Sequence, residues 1–253
     1  MAEYPYRFYR ALHRGNEGDL DFYRSVAIDS RRVLELGAGD GRLARAIAED
    51  GSEIVALERS EEAVALGREA EGGERVRWAI GAMEDFAFEG SFDRIIAPYT
   101  AMYCLLDEAS LSACLRAVHA HLEPDGLFVF DVWPADDFHA EGDESLFDGE
   151  ELIDEIEVDG ARYRVFESSR WDRSAQLLDV HYRHEPIEAS GGESILASIP
   201  QRYFLLDEIA RALEEAGLSI LVLHGDFDQR AYDDESERLI VTAARSDSAL
   251  FAE

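Results

Sequence analysis

The sequence contains no lysine: every basic side chain is arginine, set against 55 aspartates and glutamates, and the formal net charge is −31. A field of that sign repels the phosphate backbone of nucleic acid, whose capture depends on cationic contacts. It equally disfavours anionic lipid surfaces. Neither nucleic acid nor membrane is therefore expected as a partner. Cysteine is scarce too. Cys104 and Cys114 lie ten residues apart, before and within an expected helix, a spacing expected to exceed the roughly 7 Å between Cα atoms that a disulfide tolerates. No stretch reaches the roughly 18 apolar residues of a membrane span. The opening MAEYPYRFYRALHR lacks the apolar centre of a secretory leader. A reduced, cytoplasmic protein is the expectation.

The acidity has two readings. One is adaptation to a salty interior, where strong charge keeps the protein soluble; the other is a GC-rich coding bias that replaces lysine by arginine. Under the first, the melting temperature climbs as potassium chloride is raised into the molar range and self-repulsion is screened. A melting temperature that stays flat across salt rejects it.

What is present is enough apolar material for a core: 47% of the 253 residues are hydrophobic. That suits one domain with an embellishment, or two small ones. Short β-like runs alternate with helical patterns. RRVLELG precedes GRLARAIAED, in which Leu43, Ala46 and Ile47 recur at helical spacing, and Gly51 closes the helix. SEIVALE, EEAVALGREAE, VRWAIG and FDRIIAP continue the alternation, then a helix near 107–123, the turn EPDG and the strand GLFVFDVW. The pattern returns in LLDEIARALEEAG, SILVLHG and ERLIVTAAR, the last two fitting an antiparallel pair at a sheet edge. Such alternation predicts a mainly parallel sheet covered on both faces. Between about 136 and 200 it is interrupted by ARYRVFESSRWD and AQLLDVHYRHEPI, which read as an antiparallel meander, while AEGGE and EASGGES read as turns.

The stretch LELGAGDG places Gly37, Gly39 and Gly41 at alternate positions between a strand and a helix. Glycine costs roughly 0.5–1 kcal/mol against alanine inside regular structure, so three together mark a backbone that something approaches closely. A strand, a glycine turn and a helix start form a place for an anionic or polar ligand. The spacing is G-x-G-x-G rather than the dinucleotide G-x-G-x-x-G, and Arg42 and Leu43 stand where a phosphate loop needs Lys and Ser or Thr. Glu58, at the end of the next strand, stands near the distance at which an acid meets a ribose diol.

VLELGAGDGRLA, ALERS, WAIGAMEDF, FDRIIAPYTAMYCLL and LEPDGLFVFDVW, in that order, resemble the class I S-adenosylmethionine-dependent methyltransferases. The ending HGDFDQRAYDDESERLIVTAAR is similar to that of many bacterial small-molecule members. The resemblance covers nearly the whole chain and implies a Rossmann-like, seven-stranded α/β sheet with its last strand antiparallel. It implies S-adenosylmethionine as cofactor. No set of His, Cys and acidic residues has zinc-ligand spacing, so no metal is expected. Glu35 would reach the methionine part, with Gly37, Ala38 and Gly39 beneath it; Glu58 would hold the ribose and Arg59 flank the adenine. Ala82 and Met83 would touch the adenine ring, although many relatives carry Asp at the Ala82 position, and Ala97, Pro98 and Tyr99 would line the sulfonium and the acceptor.

Domain limits follow: an N-terminal helical lid (1–30), a cofactor domain (31–135 and 201–247) and an inserted meander (136–200) that roofs the acceptor pocket or forms a dimer contact. The expected activity is methyl transfer to N or O of a small molecule by a monomer or homodimer. A silent cofactor-binding protein and a protein or nucleic-acid methyltransferase are the alternatives. Tyr99 and His224 are the candidates for proton handling, while His181 and His184 read either as surface histidines or as bases. Tyr9, Tyr99, Met102, Tyr103, Trp133, Tyr182 and Arg202 are the candidates for acceptor contacts, and Asp131 ends the fifth strand beside them.

Overall fold

The computed structural model describes residues 4–142, 149–187 and 193–252. Helices α1 (Tyr6–Leu12) and α2 (Asp19–Ala27) precede an alternating series. It runs β1 (Arg32–Leu36), α3 (Arg42–Glu49), β2 (Glu53–Glu58), α4 (Glu61–Glu69), β3 (Arg77–Ile80), β4 (Phe92–Ala97), α5 (Glu108–His121) and β5 (Leu122–Val132). Then come α6 (Asp136–Glu141) and four strands, β6 (Glu151–Val158), β7 (Ala161–Asp172), β8 (Leu177–Pro186) and β9 (Ile195–Arg202). The chain closes with α7 (Leu206–Glu215), β10 (Leu218–His224) and β11 (Leu239–Arg245).

These elements divide into two compact units. The larger takes residues 16–135 and 204–252 and holds a seven-stranded sheet of order β10-β11-β5-β4-β1-β2-β3. The pairs β1–β2, β1–β4, β2–β3 and β4–β5 are parallel, and β11 runs antiparallel to both β5 and β10. Val33, Leu34 and Leu36 of β1 are wholly buried, as expected of a parallel strand covered on both faces. Helix starts are locally encoded: the Ser60 hydroxyl accepts from the Ala63 amide, and Asp107 accepts from the Ser110 amide. After β1 the chain moves outward to β2 and β3, then crosses back to β4 on the other side of β1. That reversal opens a crevice at the carboxyl ends of β1 and β4, where sheets of this kind bind ligands.

The smaller unit takes residues 4–15 and 136–203, with the antiparallel order β6-β7-β8-β9. Phe8 of α1 packs there with Val158, Val165, Val180, Tyr182 and Ala197. The N-terminal segment is therefore split: α1 belongs to the small unit, whereas α2 buries Phe22, Tyr23 and Ala27 in the large one. Two strands go beyond the two read from sequence. β6 and β9 are acidic or interrupted by Pro200, and pairing with β7 and β8 makes them strands. EPDG does not separate α5 from its strand, because β5 starts at Leu122. The partner of β4 jumps from Leu122 opposite Phe92 to Leu127 opposite Arg94, so the turn residues bulge out within the strand. Residues 188–192 of EASGGES lie outside the described residues.

Candidate active site

Gly37, Gly39 and Gly41 all adopt left-handed backbone, with φ of 68°, 58° and 69°, a conformation that a side chain penalises. The turn is tied to β2 by the Ala38 amide, which donates to the Leu57 carbonyl at 3.1 Å. Its central amide, that of Gly39, donates to Glu58 Oε2 at 2.9 Å, and the Ser60 amide donates to Oε1 at 2.8 Å. The Glu58 carboxylate thus fastens the glycine turn to the start of α4. Each of its oxygens has a further lone pair, the pair of acceptors that a ribose diol's two hydroxyls require.

The glycines do different work. A Cβ on Gly37 would stand 3.2 Å from Ala101 Cβ and 3.5 Å from Met83 Sδ, so the loops after β1, β3 and β4 converge there. Gly41 serves packing: a Cβ would lie 2.4 Å from the tip of the Trp78 indole, and one on Gly67 would lie 2.2 Å from the same atom. Trp78 slots between two helices because both offer glycine, and its Nε1 donates to the Gly73 carbonyl at 2.9 Å.

Glu35 sits at the end of β1, 2% exposed, and its Oε2 has no hydrogen-bonding partner among the described residues. Burial pushes its carboxyl up to about 8, against the opposing charge of Arg42. An orphaned buried oxygen at the mouth of the glycine turn fits the ammonium of a methionine moiety. Binding such a cation restores the carboxylate, so S-adenosylhomocysteine should release close to one proton from Glu35 near pH 7. Titration calorimetry in buffers of different ionisation enthalpy measures this. Equal heats in all buffers would refute it, and Glu35→Gln should abolish the release.

From sequence, Arg42 has no role beyond excluding a phosphate loop. It opens α3, where the helix dipole disfavours a cation, and that misfit was the available signal. It makes a two-pronged pair with Asp19 of α2, at 2.9 and 2.5 Å, and Asp19 is 2% exposed. Helix α2 is thereby anchored behind the glycine turn.

Ala82 and Met83 follow β3 in a tight turn closed by the Asp85 amide on the Ala82 carbonyl, 3.2 Å. Glu84, Asp85 and Arg59 are exposed. Phe86 is a core residue, its ring 5.1 Å from that of His121. Ala97 is fully buried at the end of β4. Tyr99 follows it half-buried, and burial raises its phenol above the ordinary tyrosine value. Met102 and Tyr103, expected to wall the acceptor, are instead buried in the core with Leu111, Phe130 and Phe204. The Tyr103 hydroxyl donates to the Trp133 carbonyl at 2.8 Å, and the two rings pack edge to face. His224 ends β10, three strands from β4 in the sheet order. At the usual strand spacing that is about 14 Å, so the sheet does not bring it to Tyr99.

Three predicted contacts lie in the small unit. Tyr9 packs on Tyr6 and His13, with ring centroids 5.3 and 4.4 Å apart. Tyr182 is buried and bonds to Glu167, and Arg202 is buried with Nη2 3.4 Å from Gln176 Oε1. His184 is not a surface histidine. It is 0% exposed, its Nε2 is 3.0 Å from the Tyr4 hydroxyl, and burial lowers its pKa to about 4. His181 pairs with Asp179 at 3.1 Å.

The topology, the left-handed glycine turn and the strand-end Glu58 define a nucleoside-binding α/β domain of the methyltransferase type. Residues 33–126 match the family model described as a methyltransferase domain. A cypemycin N-terminal methyltransferase from Streptomyces is 24% identical over 220 residues, 86% of this chain and 84% of that protein. A ubiquinone biosynthesis O-methyltransferase from Xanthomonas campestris is 33% identical over 122 residues, 46% of this chain and about half (49%) of that relative. Among solved structures, the CcbJ methyltransferase of Streptomyces caelestis is 25% identical with a TM-score of 0.76, covering 92% of this chain and 97% of that one. The family match, these relatives and the shared fold support a class I S-adenosylmethionine-dependent methyltransferase with S-adenosylmethionine as its cofactor.

Proposed function

We propose that this enzyme transfers the methyl group of S-adenosylmethionine to a nitrogen or oxygen of a small molecule by in-line displacement, and that an amine suits its site best. The observation that carries the choice is Tyr99. A tyrosine phenol is protonated at neutral pH and burial raises it further, so Tyr99 orients an acceptor but does not take a proton from one. A hydroxyl acceptor needs a base, whereas an amine attacks with its own lone pair once unprotonated. The cofactor supplies a methyl group already activated on a sulfonium. The protein's share is alignment, which lowers the barrier by several kcal/mol: Glu35 and Glu58 fix the cofactor and the end of β4 meets the acceptor. The similarity to a cypemycin N-terminal methyltransferase supports the same reading.

The test is S-adenosylhomocysteine formation over a panel of amino sugars, peptide N-termini and phenols. Turnover of amines, rising with pH toward each amine's own pKa, is expected. Turnover of phenols alone overturns the amine reading, and cofactor binding without turnover across the panel favours a silent binding protein. Acceptor choice is assigned to the inserted residues 136–200. Replacing residues 136–200 by a short linker should then leave cofactor affinity nearly intact and remove acceptor methylation.

A further inference from the structure

Asp131 lies near the end of β5 and is 2% exposed. Its Oδ1 accepts from the Tyr23 hydroxyl at 2.6 Å and from the Tyr99 amide at 2.9 Å. Its main-chain carbonyl accepts from the Thr100 amide at 3.1 Å. Taking a carboxylate out of water is costly unless hydrogen bonds offset the loss, so the purpose lies in what these bonds hold.

They hold an uncommon backbone. Tyr99 and Thr100 are consecutive, neither is glycine, and both are left-handed, with φ of 57° and 61°. A β-branched residue such as threonine rarely accepts that region. Strain of this kind persists only where the surroundings over-determine it, and it gathers at functional sites. Here the strained pair directly follows Ala97 and Pro98, and the next residue, Ala101, is the one packed against Gly37. Tyr23 is fully buried and belongs to α2, the helix whose Asp19 grips Arg42. One helix thus braces both the glycine turn and the turn after β4.

We propose that Asp131 is a positioning residue for methyl transfer: with Tyr23 it locks Tyr99 and Thr100 in the left-handed conformation, so that the end of β4 keeps the shape against which the acceptor meets the methyl group. The proposal rests on the reading of that strand end as the acceptor side. It acts through Tyr99 rather than on the reacting atoms.

Amide hydrogen exchange at Tyr99 and Thr100, resolved by NMR, tests it in Asp131→Asn and Asp131→Ala. Asparagine keeps an oxygen for the Tyr99 amide, so Asp131→Asn should retain protection there. Asp131→Ala should exchange about tenfold faster or more at Tyr99, well beyond any change at other β4 and β5 amides. Should Asp131→Ala fail to fold, Tyr23→Phe removes one of the two donors to the Asp131 carboxylate and should give a smaller rise at the same amide. In transfer to any amine that the panel identifies, Asp131→Ala should lower kcat and leave KM for S-adenosylmethionine unchanged, with Asp131→Asn recovering most of the loss. Exchange at Tyr99 within about twofold of wild type, or a uniform rise across β4 and β5, overturns the proposal. Wild-type protein that fails to bind S-adenosylhomocysteine would instead refute the site reading and leave the exchange result standing.

Discussion

Gly39→Val is expected to abolish cofactor binding, and Glu58→Ala to weaken it by roughly 1.5–3 kcal/mol, the range for a lost charge-assisted hydrogen bond. The two residues act as one latch, since the Gly39 amide donates to Glu58 at 2.9 Å. A valine at φ 58° would be a β-branched residue in left-handed backbone, a conformation its Cβ resists. The turn would rotate, the amide would leave Glu58, and the added methyl groups would fill the space beneath the ligand. Glu58→Ala releases both the Gly39 and Ser60 amides as well as the ribose, so a lower melting temperature should accompany the weaker binding. Glu58→Gln keeps one acceptor oxygen and should fall between wild type and alanine. Native S-adenosylhomocysteine affinity in both Gly39→Val and Glu58→Ala, measured by titration calorimetry, would sink the assignment.

The small unit should lose stability on mild acidification, because His184 and His13 are both held neutral with pKa values of about 4. For His184 the cause is burial; for His13 it is burial reinforced by His184. Tyr4 faces His184 from the segment before α1, His13 ends α1, and Tyr182 and Glu167 face the group from β8 and β7. Unfolded histidine takes up its proton near 6.5. Between there and pH 4 the unfolded chain binds protons that the folded unit refuses. Stability is therefore full above about pH 6.5 and falls as pH drops toward 4, by up to about 3 kcal/mol for His184. Glu35 in the large unit works in the opposite sense. Its raised carboxyl favours the folded state below the ordinary carboxylate range, and that contribution disappears as pH rises toward 8. Exchange protection corrected for intrinsic rate should therefore drop in β7 and β8 between pH 7 and 5, without a matching drop in β1 and β4. His184→Leu should remove most of that dependence. A small unit indifferent to pH, or the same response in His184→Leu, would refute the account.

Much of the candidate cofactor site is legible in the chain as a local pattern. Glycine at alternate positions, an acid closing the following strand and helical spacing after each strand involve neighbours in sequence, and local sterics and periodicity decide them. The alternation of strands and helices likewise carried the seven-stranded sheet, since a parallel strand buried on both faces must read as an apolar run. Other features were settled by residues distant in sequence. Gly41 and Gly67 are glycines because Trp78 lies between them, and nothing near either position announces an indole. β6 and β9 are strands because β7 and β8 offer them partners, despite a weak pattern of their own. Met102 and Tyr103 are buried because α5 and α7 pack together beside them, and His224 is distant because β11 inserts itself between β5 and β10. His184 became a core histidine only when α1 brought Tyr4 to it. Asp131 acquires its two donors from α2 and from the turn after β4, more than thirty residues away in either case. Sequence alone determined the elements whose geometry a few successive residues dictate; tertiary structure decided burial, partner and strain, because those depend on which surfaces the completed sheet brings together.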